Sequence, residues 1–449
     1  MTTSSMRPSP PTKPQRRRRF SVMEKRVTVS GALGSSLEYF DFVIFGALSA
    51  TLFPDLFFSG LGETGSLLAS FATFGLGFAA RPIGAIFFGH LGDRVGRVAV
   101  LYVTLLIMGI SSALIGLLPT GQGIGIAVII VGLRLIQGFS LGGEVTGNQL
   151  MAVEHADAGR RGLLGALVNV GAPFSQIVAN MVLVVMTGIL SEEQWMTWGW
   201  RVPFLSSILL VALTVYIRRK IEETPAFVAD QTSDAPSGGD TPSSADSAGL
   251  PGLRSEWRTV LKLTLAWAGP SMCFDLIAVY GLTFMTDSVG ISSQTSFRVL
   301  LVANLVSLPC CLLGGWISDR FDRKRVFFSG LVGVAVGSVA FFTIGAAGAL
   351  PLLILFAVLT VGSCLFLYGM QPVLFAEQFP TRFRFSGCAI SFTLANLLFS
   401  AFAPLIATAL VAVGGTPAIL WYTMPTLALS AVAVSTMRSK SELSSPSSA

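Results

Sequence analysis

Glu38 and Asp41 stand three residues apart inside a long apolar run, so a helix there carries both carboxylates on one face. Arg81 and Arg134 lie within later apolar runs, Glu144 follows Gly142-Gly143, and Asp275 sits in the middle of a run in the second half. Ionisable groups at such depths are costly unless paired or wetted by a cavity, which makes them functional candidates by default. Burial favours the protonated carboxyl, and a neighbouring guanidinium favours the carboxylate. A pair such as Asp41 with Arg81 or Arg134 can therefore take up and release a proton as its surroundings change. Asp41, Glu144 and Glu38 are the proton-coupling candidates, and Arg81, Arg134 and Asp275 the candidates for holding a charged solute. A static ion pair that positions helices is the alternative, and it applies most to Arg134 and Asp275. No catalytic constellation is present, and no Gly-rich phosphate loop ends in Lys-Ser or Lys-Thr, so neither an enzyme nor an ATP-driven machine is expected. The five cysteines fall in apolar runs without metal-ligand spacing, so no metal and no cofactor is expected.

The elements that must position these residues follow from composition. Of 449 residues, 52% are hydrophobic and 12% charged, with a mean hydropathy of +0.71. A soluble domain carries about 25% charged residues. The chain is therefore read as an integral membrane protein whose outer side chains meet lipid. Its formal charge of +6 is spread over alternate loops, which argues against nucleic acid as a partner. Basic clusters occur at Arg16 to Arg19, Arg94 and Arg97, Arg160 and Arg161, Arg218 to Lys220, Arg320 to Arg325, and Arg382 with Arg384. The loops between them bear Asp55, Glu63, Glu192, Glu193 and Asp287. This positive-inside pattern predicts a multi-pass protein of the cell (plasma or inner) membrane with both termini in the cytoplasm.

Twelve spans are predicted: 27–52, 65–89, 98–118, 124–150, 162–190, 199–219, 259–286, 295–317, 326–347, 350–375, 385–411 and 416–437. Each is long enough to cross a hydrocarbon core of about 30 Å. Residues 1–26 form a Ser-, Pro- and Arg-rich cytoplasmic tail of disordered composition, 27–219 a first bundle of six helices, and 220–258 a Ser- and Gly-rich cytoplasmic linker. A second bundle of six follows at 259–437, and 438–449 is a cytoplasmic tail. Trp195, Trp198 and Trp200 are expected to form an interfacial belt. Phe71, Phe74 and Phe78 read as packing, and the small residues at Gly75, Gly77, Gly142 and Gly143 as points of close helix approach.

The two halves echo each other. Gly89-His90-Leu91-Gly92-Asp93-Arg94-Val95-Gly96-Arg97 returns as Gly315-Trp316-Ile317-Ser318-Asp319-Arg320-Phe321-Asp322-Arg323, each copy joining two apolar runs. Phe40-Asp41-Phe42 matches Phe274-Asp275-Leu276, and Glu154 before Arg160 and Arg161 matches Glu377 before Arg382 and Arg384. A charged tight turn placed twice at matching points of two half-chains points to a transporter built from an internal repeat. Asp93 is disfavoured at the C-terminus of its own helix, so it is expected to address the N-terminus of a neighbouring one.

These residues resemble the major facilitator superfamily and, within it, the metabolite:proton symporters. The resemblance is carried by Leu37 to Phe42, Arg81-Pro82-Ile83-Gly84, Gly89 to Arg97, Arg134 to Glu144, Gly199 to Phe204, Glu222 to Pro225, and Ala376 to Arg382. Asp322 departs from it, standing where a glycine is usual. The resemblance implies an all-α membrane fold of twelve helices in two pseudo-symmetric bundles of six, with a central cavity exposed alternately to each side. It also implies that the repeated turns latch the cytoplasmic side. Gly89, Asp93, Arg94, Gly96, Arg97, Asp319, Arg320, Arg323, Glu154, Glu377 and Arg382 are then the gating candidates. The expected function is proton-driven uptake of a small organic acid or zwitterion. A proton antiporter exporting a drug or metabolite is the rival, hinted at by Gly171-Ala172-Pro173, and a receptor that binds without flux is a further one.

Overall fold

The computed structural model describes residues 22–95, 97–121, 124–142, 144–156, 159–218, 256–345, 349–380 and 384–437. Apolar segments in lipid leave their amides no water to bond, so each must close its hydrogen bonds internally as a helix. The described residues accordingly contain helices and short connections and no strand. The first half comprises α1 (Val22–Thr51), α2 (Glu63–Ala79 and Arg81–Val95), α3 (Arg97–Gly116), α4 (Ile124–Ser140 and Glu144–His155), α5 (Arg161–Asn169 and Gly171–Ile189) and α6 (Arg201–Arg218). The second comprises α7 (Trp257–Ser288), α8 (Ser293–Arg320), α9 (Arg323–Thr343), α10 (Leu350–Gln378), α11 (Arg384–Ala395, continuing to Ala403–Gly414) and α12 (Leu420–Ser435). Among the described residues, nine helices are long and apolar enough to cross a membrane. Large apolar side chains such as Ile83, Ile86, Leu209 and Val432 stand exposed on the outside, where lipid would cover them.

Helices in lipid gain nothing by hiding apolar surface from water, so small residues and close approach hold them together. Within the first half, a Cβ added at Gly138 would overlap the Gly77 carbonyl, and one at Gly84 the Phe139 carbonyl, which seats α2 on α4. In the second half the same relation joins α8 to α10, through Gly314 against the Phe366 carbonyl and Gly369 against the Cys311 carbonyl. Between halves, Gly162 of α5 and Gly315 of α8 meet backbone to backbone. At the other end of the molecule, a Cβ at Gly75 of α2 would stand 2.6 Å from Phe402 of α11, and Thr283 of α7 donates to the Ala50 carbonyl of α1 at 3.3 Å. The halves therefore touch on both sides of the space between them.

Three local readings of the sequence meet the structure here. Trp200 is not part of an interfacial belt: it is fully buried, edge-on to Phe53, Phe57 and Phe204, while Trp198 is exposed. Its neighbour Arg201 donates to the Gly116 and Leu118 carbonyls, closing the end of α3. Asp322, the departure in the second turn, caps α9 by accepting from the amides of Lys324 at 3.1 Å and Arg325 at 3.2 Å. Of the linker expected at 220–258, residues 220–255 lie outside the described residues and Trp257 already opens α7. Gly96, Gly143 and Arg382 also lie outside them, as do the side chains of Glu38, Gly89, His90, Asp93, Arg94, Arg97, Glu144 and His155.

Gly138→Val and Gly314→Val should each destabilise the protein by about 1–3 kcal/mol or more, because a core with no spare space must shift to admit a branched side chain. Gly132→Ala, whose new methyl would meet no atom within 4 Å, should be neutral or slightly stabilising. Thermal unfolding in detergent compares all three with wild type.

Candidate substrate and proton site

Asp41 lies in α1, buried at 4% exposure, and faces the inside of its own half. Ser112 of α3 donates to its Oδ1 at 2.5 Å; Arg134 and Gln137 of α4 donate to its Oδ2 at 3.3 and 3.0 Å. The spacing of Arg134 and Gln137 places both on one face of α4, and Arg134 also donates to Gln137 at 3.0 Å. The Arg134 guanidinium sits 4.1 Å from the Phe45 ring centroid, so its remaining faces meet aromatic carbon rather than water. Of the two arginines considered for Asp41, Arg134 is the one that pairs with it. Three helices thus converge on one carboxylate.

A cavity of about 660 Å³ opens between the halves. Tyr39, Phe42, Phe78, Arg81, Ala172 and Pro173 line it from the first half; Trp267, Phe274, Asp275, Tyr368, Asn396 and Ser400 are among its lining from the second. Arg81 also lines a smaller adjoining cavity with Asp41, Arg134 and Gly138, so it stands between the ion pair and the main cavity. Its guanidinium lies 4.5 Å from the Phe78 ring centroid. Asp275 is buried in α7 and accepts a hydrogen bond from Ser400 of α11. Both helices change from α to π geometry beside this contact, at Leu276–Tyr280 and Asn396–Ser400. A π turn inserts one residue and re-aims the side chains after it, a feature that often marks functional positions. Tyr39 and Tyr368 join the halves at the cavity wall through their hydroxyls, 3.2 Å apart. Cys364 lines the cavity too, and all five cysteines are free.

Away from the cavity, at the end bearing the repeated turns, Asp319 of α8 accepts from the amides of Gly162 at 2.8 Å and Leu163 at 3.1 Å. These are the first turn of α5, where free N–H groups and the helix dipole favour an anion. The role expected of Asp93 is thus seen at its repeat counterpart. Glu154 of α4 pairs with Arg384 of α11 at 3.3 Å across the halves, whereas Glu377 takes Arg323 at 2.6 Å within the second half. Arg320 lies 3.7 Å over the ring of Trp316 on its own helix.

The structure brings Asp41 and Arg134 together, and Arg81 and Asp275 into one cavity. Sequence reasoning did not assign roles to Ser112, Gln137, Ser400 or Trp267. The three-residue spacing of Arg134 and Gln137 was a usable signal. A serine in an apolar helix carries none, because most bond their own preceding turn, as Ser111 does to Ile107.

A two-half bundle of helices apolar and long enough to cross a membrane, with the halves touching on both sides of a cavity lined by buried charge, has the architecture of a transporter. The chain belongs to the Major Facilitator Superfamily, which its sequence matches over residues 31–393 and 272–449. It is 30% identical over 397 residues to the shikimate transporter of Escherichia coli K12, covering 86% of this chain and 88% of that one. It is 34% identical over 392 residues to the inner membrane metabolite transport protein YhjE of the same organism, covering 85% and 87%. To the ectoine/proline transporter ProP of Corynebacterium glutamicum it is 33% identical over 394 residues, covering 85% and 77%. Among solved structures, a D-xylose-proton symporter superposes with a TM-score of 0.71 at 19% identity, covering 91% of this chain and 96% of that one. That likeness supports the fold.

Removing one partner of a buried ion pair leaves the other charge uncompensated, at a cost of about 3–5 kcal/mol. Arg134→Met should therefore lower the unfolding temperature in detergent more than Ser112→Ala, which removes the hydrogen bond donated to Asp41 and the one accepted from Gln137 but strands no charge, at a cost of about 1–3 kcal/mol. Asp41→Asn combined with Arg134→Met should recover part of the loss. Equal melting of wild type and Arg134→Met would mean that the pair does not hold the first half together.

Proposed function

We propose that the protein is a proton-coupled symporter that takes up a small carboxylate-bearing metabolite or zwitterion by alternating access. The observation that carries this reading is the Asp41–Arg134 pair, buried in one half and separated from the main cavity by Arg81. A proton on Asp41 removes the charge that holds Arg134, and the freed guanidinium changes the field around Arg81 and the solute. Solute and proton then favour the same rearrangement, which is the requirement for coupling. Glu38 and Glu144 are further proton-coupling candidates on the same half, at helix positions in α1 and α4. The relatives named for shikimate and for ectoine and proline support a small polar solute.

Asp319 on the α5 N-terminus and Glu154 with Arg384 serve as the gate on the turn side, released when the cavity opens there. The basic residues near that side support its assignment to the cytoplasm, with both termini there, in the cell membrane. Rocking of one half against the other about the glycine contacts of α5 and α8 exposes the cavity to each side in turn.

In proteoliposomes carrying an inward proton gradient, wild type should accumulate one labelled solute from a panel of proline, betaine, ectoine, shikimate and 2-oxoglutarate. A protonophore should abolish the accumulation. Asp41→Asn should still exchange that solute across the membrane but fail to concentrate it. Concentration by Asp41→Asn equal to wild type would exclude Asp41 as the coupling group, and gradient-driven efflux in place of uptake would favour the antiport reading.

A further inference from the structure

Ser400 of α11 sets one hydroxyl against two oxygens of α7. It stands at hydrogen-bond distance from Asp275 Oδ2 and 3.1 Å from the Ser271 carbonyl. A hydroxyl carries a single proton, so it donates to only one of them at a time, though it can also accept. The oxygen positions suit either direction of the Asp275–Ser400 bond. With Asp275 ionised, both neighbours of the hydroxyl are acceptors, and one contact goes without a proton. With Asp275 as the neutral acid, both bonds are made: the carboxyl donates to Ser400, and Ser400 donates to the Ser271 carbonyl.

Asp41 supplies the contrast. Ser112 likewise meets both Asp41, at 2.5 Å, and the Met108 carbonyl of its own helix, at 3.0 Å. There, however, Oδ2 also takes bonds from Arg134 and from the Gln137 amide nitrogen, groups that only donate. A cation and donors suit a carboxylate. Among the described residues, Asp275 has Ser400 as its one hydrogen-bond partner and forms no ion pair. An ionised carboxyl offers about four acceptor sites, and leaving most of them empty away from bulk water is costly.

Few other groups act on this carboxyl. Arg81 of α2 does so across the cavity. Because that charge belongs to the opposite half, rocking changes how strongly it favours the carboxylate form. Tyr39 of α1 and Tyr368 of α10 line the same cavity, as does Cys364 of α10, whose thiol donates to the Pro270 carbonyl at 3.6 Å. Tyr422 of α12 donates to the Phe399 carbonyl at 2.6 Å, which steadies the π turn that carries Ser400.

We infer that Asp275 is a second proton-binding site on the wall between the halves, holding its proton as the neutral acid in this arrangement, with Ser400 as its positioning residue. On release the proton passes from Oδ2 to water in the cavity, and Ser400 turns its own proton from the Ser271 carbonyl to the carboxylate. The acid form removes negative charge from the cavity wall, so an anionic solute and the proton favour each other there. The proton site follows from the hydrogen bonds alone; its use in coupling rests on the symport reading above.

Infrared difference spectroscopy of the full-length protein in lipid, wild type minus Asp275→Asn, reads this proton directly. The difference should contain the carbonyl band of a protonated carboxylic acid, shifted in heavy water and lost reversibly as the pH is raised. Asp275→Glu should keep an acid band, and Ser400→Ala should move the band of Asp275. Asp41→Asn should instead lose carboxylate bands and leave the acid band in place. The melting temperature of each variant checks folding, and Ser400→Ala decides the question if Asp275→Asn does not fold. Three results would each overturn the inference: loss of carboxylate bands in Asp275→Asn, an acid band indifferent to Ser400→Ala, or one that persists at every pH at which the protein stays folded. An acid band without proton-driven accumulation in vesicles would remove the symport reading and leave the proton site. Accumulation without the band would do the reverse.

Discussion

A charge inside a membrane-spanning bundle has no bulk water to fall back on, and this constraint organises the first half around Asp41. Its carboxylate gathers a hydroxyl from α3 and a guanidinium and a carboxamide from α4, so three helices are held in one register by a single acidic group. The arginine in turn lies on the rings of Phe45 and Phe74, which fixes α4 against α1 and α2. Apolar contacts between helices in lipid are close to interchangeable with contacts to lipid itself. The polar cluster is not interchangeable: moving α1, α3 or α4 away would leave a buried charge or polar group without its partner.

Backbone contact complements that fixed point. Where Gly162 meets Gly315, α5 and α8 touch without side chains between them, and such an interface can slide or tilt without side chains having to repack. Asp319 lies beside this contact and binds the exposed amides of α5, an attraction that depends on the two helix ends staying together. The same interface is thus permissive in shape and selective in one position. The cavity lies away from this joint, between the half that contains the Asp41 cluster and the half whose α7 and α11 are interrupted by π turns.

Much of this was legible in the sequence, and the reasons differ by feature. Membrane location, twelve spans and the repeat follow from composition and from the doubled turn, because apolar length and charged connections are properties of the chain itself. Asp41 and Arg134 stood out because charge is rare in such runs. Their pairing was not legible: Arg81 and Arg134 were both candidates for Asp41, and the close packing of α4 on α2 at Gly77, Gly84 and Gly138 is a tertiary contact that sequence spacing does not report. Trp200 misled because an aromatic near a span end has the same appearance whether it faces headgroups or, as here, a cluster of phenylalanines. Ser400 was invisible because its role depends on the π turn of α11, which no local preference in Asn396 to Ser400 announces.

The repeat itself explains why the two aspartates differ. Phe40-Asp41-Phe42 and Phe274-Asp275-Leu276 occupy matching places in α1 and α7, yet Asp41 turns into its bundle and Asp275 toward the cavity. The first half supplies Asp41 with an arginine, a glutamine and a serine. The second half supplies Asp275 with a serine on an interrupted helix, and Arg81 of the other half lines the same cavity. A carboxylate satisfied within its own bundle can hold that bundle in shape as the halves move. One on the wall between the halves stands where their approach or separation would change its surroundings. The two matching positions of the repeat thus carry carboxylates in different company, one inside a bundle and one on the wall between the halves.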